Sequence, residues 1–176
     1  MDRAIFAGGC FWCTEAIFVN IEGVHKVTSG YIGGATEHPS YQQICEGNTG
    51  HVEAVEIIFD ENKISYKSLL KIFFNTHDPT QFDGQGNDIG SQYLSRIYFV
   101  SEEQKDIAKK YIESIVNNYD APIITKLYQE NNFYVAEDYH QNYYRENSGQ
   151  PYCQIVIKPK LNKFNNEFKK FLKNII

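Results

Sequence analysis

The feature that most constrains the fold is a pair of glycines near the N-terminus, Gly8-Gly9, which separates two segments of different type. Residues 3–7 fit a short buried strand, whereas residues 10–19 fit a helix. Paired glycines allow the backbone to turn sharply between two such elements. The chain should therefore begin with a buried strand that leads directly into a helix, with Cys10 at the start of that helix.

Strand and helix patterns continue to intersperse along the rest of the chain. Further strands are predicted at residues 24–32, 51–59, 93–100, 123–128 and 155–157, and helices after Ser65, after Ser101, at residues 137–144 and near the C-terminus. Helices interspersed in this way can cover one face of a sheet. We predict an α/β (α+β) fold, a two-layer sandwich with a ferredoxin-like core and a mixed or antiparallel sheet.

The length and charge of the chain limit its organisation and its partners. A chain of 176 residues with 42% apolar residues fits one domain. We predict a single catalytic domain over residues 1–176, with residues 146–176 as a C-terminal extension. The net charge of −5 argues against nucleic-acid binding. The lysines of the extension are interpreted as the solvated face of a terminal helix, with Phe164 and Phe168 on its packed face.

Cysteine usage depends on the compartment in which the chain resides. No apolar run reaches the ~18 residues that a membrane span needs, and the N-terminus does not resemble a signal peptide. We therefore expect a cytoplasmic protein without membrane association, in which thiols stay reduced. The four cysteines then indicate chemistry or metal binding rather than structural disulfides.

A cysteine that follows two glycines at the start of a helix is placed for nucleophilic chemistry. The thiolate is the reactive form, and a helix N-terminus favours an anion through its free N–H groups. We therefore predict a lowered pKa and a nucleophilic role for Cys10, with a buried apolar position as the alternative. The adjacent Phe11 and Trp12 are interpreted as walls of an apolar pocket, with ordinary core packing as the alternative.

Cys10 and Cys13 also form a Cys-x-x-Cys pair. That spacing suits a redox-active disulfide or half of a zinc site. Zinc would need two further ligands at suitable spacing, and the other cysteines and the five histidines offer no second pair of that kind. The pattern thus disfavours a metal site, while a dithiol–disulfide exchange protein stays open as an alternative function.

A carboxyl group lies within the clearest predicted strand, residues 51–59. Because alternate strand residues share a face, Glu53 shares a face with Val55, Ile57 and Phe59. A carboxyl on an apolar face should have a raised pKa and stay protonated near neutrality, as a general acid requires. The alternative is a carboxyl at a sheet edge that reaches solvent.

A polar, glycine-punctuated loop at residues 85–93 leads into the next predicted strand. Loops of this kind often carry functional residues, although the same composition also describes a plain turn. Asp88 and Tyr93 are the side chains in it that can offer hydrogen bonds to a substrate.

Taken together, these motifs resemble the peptide methionine sulfoxide reductase A family. The matching stretches, in the order of the family, are Gly9-Cys10-Phe11-Trp12, Gly30-Tyr31-Ile32-Gly33-Gly34, Gly50-His51-Val52-Glu53-Ala54-Val55, His77-Asp78-Pro79, Gly86-Asn87-Asp88 with Gln92-Tyr93, and Ala136-Glu137-Asp138-Tyr139-His140-Gln141. They cover most of the chain, from the N-terminus to about residue 145.

The resemblance implies specific roles for five residues. Cys10 attacks the sulfoxide sulfur and becomes a sulfenic acid as methionine leaves. Glu53 protonates the sulfoxide oxygen. Tyr31 and Tyr93 donate hydrogen bonds to that oxygen, and Asp88 is a supporting carboxylate.

The resemblance also implies the substrate and the partners. Phe11 and Trp12 surround the methyl group of the S epimer of methionine sulfoxide, in proteins and as the free amino acid. The fold would contain long coil segments, and the enzyme would need no metal or organic cofactor. Thioredoxin is the implied reductant, and we expect a monomer. Leu94 stands where the family usually has Arg, so a substrate preference governed by that Arg is not predicted here.

A second thiol must resolve the sulfenic acid. Cys153 lies after the matching motifs, where family members often carry a resolving cysteine, and it is the slightly preferred candidate. Cys13 is three residues from Cys10 and is the other candidate, and a relay that uses both stays open. Cys45 is predicted to be structural.

Overall fold

The fold is built on a six-stranded mixed sheet, seen in a computed structural model that describes residues 1–173. The strands are β1 (Asp2–Ala7), β2 (Val24–Ile32), β3 (Val52–Phe59), β4 (Gly84–Gln85), β5 (Asp88–Ile89), β6 (Arg96–Phe99), β7 (Lys126–Gln129) and β8 (Tyr134–Val135). The sheet has the order β7-β6-β1-β3-β2-β8, in which the β6–β7 pair is parallel and the other pairs are antiparallel. Strands β4 and β5 form a separate small hairpin.

Helices follow the strands in the order expected of a ferredoxin-like core. They are α1 (Phe11–Phe18), α2 (Tyr41–Cys45), α3 (Tyr66–Thr76), α4 (Glu102–Ile115), α5 (Tyr143–Glu146) and α6 (Lys158–Glu167). The succession β1-α1-β2-β3-α3-β6 is a βαββαβ arrangement, and the four strands lie in the order β6-β1-β3-β2. The predicted two-layer sandwich with a mixed sheet is confirmed.

The alternation of strand side chains divides the apolar residues between the two faces of the sheet. Phe6 and Val55 belong to the main core, which also contains buried side chains of α1 and α3. Ile5 and Val52 belong to a smaller cluster, against which Phe133 packs from a coil segment. Glu53 has the parity of Val55, so it lies on the helix-covered face.

Helix starts follow the local signals in the sequence. The hydroxyl of Ser65 accepts a hydrogen bond from the backbone N–H of Ser68, and that of Ser101 accepts one from Gln104. These bonds satisfy amide groups that the helix itself leaves unpaired. The helices predicted after Ser65 and after Ser101 therefore begin where expected, although the side chain of Gln104 accepts from the N–H of Val100 and so does not complete a capping box at Ser101.

The C-terminal region differs in part from the prediction. Residues 155–157 are not a strand, because Cys153–Ile157 forms a π-helical turn that runs into α6. Cys153 and Ile157 are both fully buried, whereas Ile155 is 74% exposed, so the buried side chains follow a helical spacing rather than the alternation of a strand. The predicted terminal helix is confirmed, with Phe164 only 2% exposed.

The helix predicted at residues 137–144 is divided into a 3-10 turn, Asp138–His140, and helix α5, because Asn142 takes a left-handed backbone conformation with φ of 53°. A bridge between Ile21 and Leu172 joins the end of the described chain to the α1–β2 turn. Within residues 1–173, no helix is long and apolar enough to cross a membrane.

Candidate active site

The strand-to-helix turn places Cys10 at the N-cap of α1 with only 8% of its surface exposed. Gly9 has a φ of 91°, and a Cβ atom there would lie 2.7 Å from the side chain of Gln85. Glycine is therefore the residue that this turn requires. The N–H of Gly9 donates to the carbonyl oxygen of Tyr93 at 3.1 Å, so the turn and the polar loop meet at the same place.

Glu53 lies beside the peptide unit that follows Cys10. Its side chain is 2% exposed, and its Oε2 accepts a hydrogen bond from the backbone N–H of Phe11 at 3.0 Å. Burial raises the pKa of Glu53 to about 8, although the Phe11 hydrogen bond opposes that shift. The site therefore contains a carboxylic acid that keeps its proton at neutral pH next to a buried thiol.

The prediction of a lowered pKa for Cys10 is wrong. Burial raises the pKa of Cys10 well above its ordinary value, and a hydrogen bond to Cys13 and the charge of Glu53 raise it further. The first N–H of α1 bonds to Glu53, and the hydrogen bond from the backbone N–H of Trp12 to the thiol lowers the pKa by less than burial raises it. The pKa of Cys13 is instead lowered to about 7, mainly because the Cys10 thiol donates a hydrogen bond to it. The two sulfurs thus interact directly, and the interaction raises the pKa of Cys10 while it lowers that of Cys13.

The two tyrosines predicted at the site are neutral hydroxyl donors. The hydroxyl of Tyr31 donates to Oε1 of Glu137 at 3.1 Å, and in the sheet Tyr31 pairs directly with Glu53. Burial raises the pKa of Tyr31 and of Tyr93, and the charge of Glu53 adds to both shifts. Tyr31 and Tyr93 therefore both lie within electrostatic range of Glu53, and Tyr93 also lies within range of Cys10.

Glu137 organises the rim of the site, which the sequence did not predict. Its Oε2 accepts hydrogen bonds from the backbone N–H of Tyr41 at 3.1 Å and the hydroxyl of Tyr139 at 3.0 Å. Its Oε1 takes the hydroxyl of Tyr31. The only signal in the sequence was the position of this carboxylate within the 136–141 motif.

Aromatic rings line the apolar part of the site. Trp12 stacks face to face on Tyr143, with ring centroids 3.6 Å apart and planes 5° apart. Its indole Nε1–H donates to Nδ1 of His140 at 3.0 Å. Phe11 is 1% exposed, and its ring lies 5.7 Å from that of Tyr31 and 5.1 Å from that of His140.

The C-terminal region reaches the site through Tyr152. Its hydroxyl donates to Oδ2 of Asp88 at 2.6 Å and lies 3.8 Å from Sγ of Cys13. The next residue, Cys153, is fully buried, and burial together with the charge of Cys13 raises its pKa. The sequence singled out Cys153 but not Tyr152, whose only signal was its position next to that cysteine.

Cys45 is exposed at the end of α2, and all four cysteines are free thiols. Across residues 1–173, no three His, Cys, Asp or Glu side chains lie together in a group that could hold a metal ion.

Comparison with known proteins agrees with this geometry. Residues 2–172 match the family model described as peptide methionine sulfoxide reductase. The chain is 53% identical over 174 residues to peptide methionine sulfoxide reductase MsrA of Acinetobacter baumannii, covering 99% of this chain and 100% of that protein. A structure of Mxr1 from Saccharomyces cerevisiae in reduced form superposes with a TM-score of 0.80 at 29% identity, covering 86% of this chain and 88% of that one.

A second structure of yeast Mxr1 is a complex with Trx2, and it superposes with a TM-score of 0.57 at 22% identity, covering 81% of this chain and 84% of that one. This likeness concerns the fold. The family match and the bacterial relative span almost the whole chain, including every residue of the site around Cys10. The chain therefore belongs to the peptide methionine sulfoxide reductase family.

Proposed function

We propose that Cys10 and Glu53 carry out the thiol-dependent reduction of methionine sulfoxide in this enzyme. One observation carries the assignment, the 3.0 Å hydrogen bond from the N–H of Phe11 to the buried carboxyl of Glu53. It holds a proton donor beside the peptide that bears the nucleophile. Sulfoxide oxygen is a poor leaving group until it is protonated, and general acid catalysis supplies roughly 10²–10⁴ in rate.

The protons and electrons of the first step are all supplied by Cys10, Cys13 and Glu53. The Cys10 thiol gives its proton to the Cys13 thiolate, and its sulfur bonds to the sulfoxide sulfur while Glu53 protonates the oxygen. The hydroxyl then moves to the Cys10 sulfur, and the electron pair of the new sulfur–sulfur bond returns to methionine. Methionine is reduced by two electrons, and Cys10 becomes a sulfenic acid.

Recognition of the sulfoxide follows from the groups around this centre. The hydroxyls of Tyr31 and Tyr93 stabilise the sulfoxide oxygen, and Asp88 acts as the supporting carboxylate through Tyr152. Phe11 and Trp12 form the apolar wall for the methyl group. This one-sided arrangement of donors and rings supports selection of the S epimer, both in proteins and as the free amino acid.

Resolution proceeds through Cys13 and then Cys153. The Cys13 thiol attacks the sulfenic sulfur of Cys10, which releases water and forms a Cys10–Cys13 disulfide. Cys153 then attacks the Cys13 sulfur, which frees Cys10 and leaves a Cys13–Cys153 disulfide. The hydrogen bond between Cys10 and Cys13 supports this order, as does the influence of the Cys13 charge on Cys153.

A thioredoxin-type dithiol closes the cycle by reducing the final disulfide. Yeast Mxr1, which shares this fold, is described in a complex with Trx2. The four free thiols, one of them exposed, support a reducing compartment such as the cytoplasm. We treat residues 1–176 as one catalytic domain, active as a monomer, with residues 146–176 as the extension that carries the last thiol.

One experiment tests the assignment and the order of the thiols. The reduced protein is mixed with a peptide that carries methionine S-sulfoxide, without reductant, and both the peptide mass and the protein disulfides are followed. We expect loss of up to two oxygens per wild-type protein, because the relay frees Cys10 for a second attack, loss of one oxygen in Cys153→Ser, and no loss in Cys10→Ser. Cys153→Ser should trap the Cys10–Cys13 disulfide, whereas Cys45→Ser should match the wild type. Direct formation of Cys10–Cys153 in the wild type would contradict the relay.

Dithiol exchange is the second candidate, because the pKa of Cys13 is lowered to about 7 within a Cys-x-x-Cys pair. Reduction of insulin disulfides by the protein, without loss of oxygen from the sulfoxide peptide, would favour exchange as the activity. We expect oxygen loss from the peptide and no insulin reduction above that of free dithiothreitol.

A further inference from the structure

We propose that His140 is a positioning residue, whose unprotonated Nδ1 fixes the indole ring of Trp12 and thereby the wall of the substrate pocket. The inference rests on the proposed function, in which Trp12 contacts the methyl group of the sulfoxide. It assigns to His140 no contact with the reacting atoms.

The hydrogen bond between the two rings determines the tautomer of the histidine. An indole N–H can only donate, so Nδ1 of His140 must accept the bond from Trp12 at 3.0 Å. The proton of the neutral imidazole then lies on Nε2, which is buried and has no hydrogen-bond partner among residues 1–173. A second proton would have to occupy Nδ1, where it would displace the indole N–H.

The surroundings of His140 keep the ring neutral and in place. The residue is fully buried, and the rings of Tyr41 from α2 and Tyr139 from the same segment lie at centroid distances of 4.4 and 4.2 Å. Burial lowers the pKa of His140, whereas the Glu137 carboxylate opposes this shift. Glu137, Tyr41 and Tyr139 are the titratable groups that face the imidazole, and Phe11 and Trp12 of α1 complete its contacts.

The same segment also holds the face of the indole ring. Tyr143 stacks on Trp12, and the carboxylate of Glu15 in α1 accepts the backbone N–H groups of Asn142 and Tyr143 at 2.9 and 3.2 Å. Stacking restrains the tilt of the indole plane but allows rotation within that plane. The bond to His140 acts at the ring edge, so it removes the freedom that stacking leaves.

Two substitutions separate the acceptor from the shape of the ring. His140→Phe keeps a ring without an acceptor, whereas His140→Asn can place an oxygen near the position of Nδ1. The substrate dependence of the first burst of methionine is measured with the sulfoxide peptide and dithiothreitol. His140→Phe should raise the half-saturating peptide concentration about five- to tenfold, the value of one neutral hydrogen bond, and lower the maximal burst rate less. His140→Asn should stay within about twofold of the wild type.

The fluorescence of Trp12 gives a readout that does not depend on activity, because the chain contains a single tryptophan. In the wild type, emission should change as pH falls below about 6.5, the ordinary histidine value, because protonated His140 no longer accepts the indole N–H. That acid-side change should be absent in both variants. At pH 7, the emission maximum should be shifted in His140→Phe but not in His140→Asn.

The outcomes also distinguish this inference from the proposed function. A wild type that forms no methionine would refute the function, while the fluorescence titration would still test the contact. An active wild type with unchanged half-saturation and emission in His140→Phe would overturn the inference, as would equal losses in both variants. Should His140→Phe fail to fold, a wild-type emission without an acid-side change would overturn the inference. In a Trp12→Phe background, which lacks the donor, His140→Phe should change the half-saturating peptide concentration by less than about twofold, and a further rise of about fivefold there would likewise contradict the inference.

Discussion

The carboxyl of Glu53 is placed where it serves chemistry at the expense of stability. Its pKa is raised to about 8 in the folded protein, whereas an unfolded glutamate releases its proton near pH ~4.3. Between these values the folded state binds more protons than the unfolded state. The free energy of unfolding therefore falls as pH rises from about 4.3 to 8.

Replacing Glu53 should lower the rate of sulfoxide reduction and raise the free energy of unfolding. We expect Glu53→Gln to slow the burst of methionine by about 10²–10⁴ and to raise the free energy of unfolding at pH 7 by up to about 3 kcal/mol. Urea denaturation at pH 5 and 7 checks the second expectation, since the gain should be smaller at pH 5. Glu56→Gln, on the opposite face of the same strand, is the matched control. An unchanged burst rate would remove Glu53 as the acid.

The proton on Glu53 also sets the pH dependence of the chemical step. Because the neutral acid is the active form, the burst rate should fall as pH rises through about 8. The measurement is the burst amplitude and rate between pH 6 and 10, with a sulfoxide peptide that has no titratable side chain. A rate that continues to rise through pH 9 would mean that thiol ionisation, rather than the acid, limits the step.

Among the secondary-structure elements, helix α1 contacts two parts of the site. Its N-terminus presents Cys10 and the N–H that bonds to Glu53, and its second turn presents Glu15 to the segment that stacks on Trp12. The start of α5 has no side-chain cap of its own, so the carboxylate of Glu15 takes that role from another helix. One short helix thus connects the nucleophile with the aromatic wall.

Loss of this cap should be measurable in stability and in the tryptophan signal. Glu15→Gln replaces one acceptor oxygen with an NH₂ group. This group can only donate, so it cannot accept the hydrogen bond from the backbone N–H that it faces. We expect a loss of about 1–2 kcal/mol in urea denaturation, together with altered emission of Trp12. Glu22→Gln is the control, because its ion pair with Lys63 is half-exposed and should contribute less than about 1 kcal/mol. Equal effects of the two substitutions would contradict the role of Glu15.

Local patterns predicted the elements that bring the reacting groups together, but not the contacts between distant segments. The strand–Gly-Gly–helix signal located Cys10, and the alternation in β3 placed Glu53 on the covered face. Residues 155–157 were assigned wrongly because three apolar residues fit a strand and a buried helical turn equally well. Tyr152 meets Asp88 across 64 positions of the sequence, and no periodicity encodes such a meeting.

At the scale of the whole molecule, the C-terminal region contributes to the central core. Leu161, Phe164 and Phe168 of this region are buried in the same cluster as α1 and α3. Phe164 and Phe168 stack with ring centroids 5.2 Å apart. The segment that carries the last thiol is therefore anchored in the main core at Cys153, Ile157, Leu161, Phe164 and Phe168.

Removing one of these rings should destabilise the protein as a core substitution does. We expect Phe164→Ala to lower the free energy of unfolding by about 3–5 kcal/mol in a single cooperative transition. Lys163→Ala, at an exposed neighbouring position, should change it by less than about 0.5 kcal/mol. Two separate transitions in the wild type, or no loss in Phe164→Ala, would show that the region folds as an independent appendage.

The bridge between Ile21 and Leu172, together with the hydrogen bond from the N–H of Glu22 to the carbonyl of Phe171, attaches the C-terminal end of the segment that carries Cys153 to the α1–β2 turn. A tethered thiol reaches its target at a local concentration of roughly millimolar or more. Sulfenic acid that waits for a thiol can be overoxidised irreversibly by peroxide. We therefore expect this attachment to speed the reaction of Cys153 and so to protect the enzyme from overoxidation by the peroxide that also oxidises methionine.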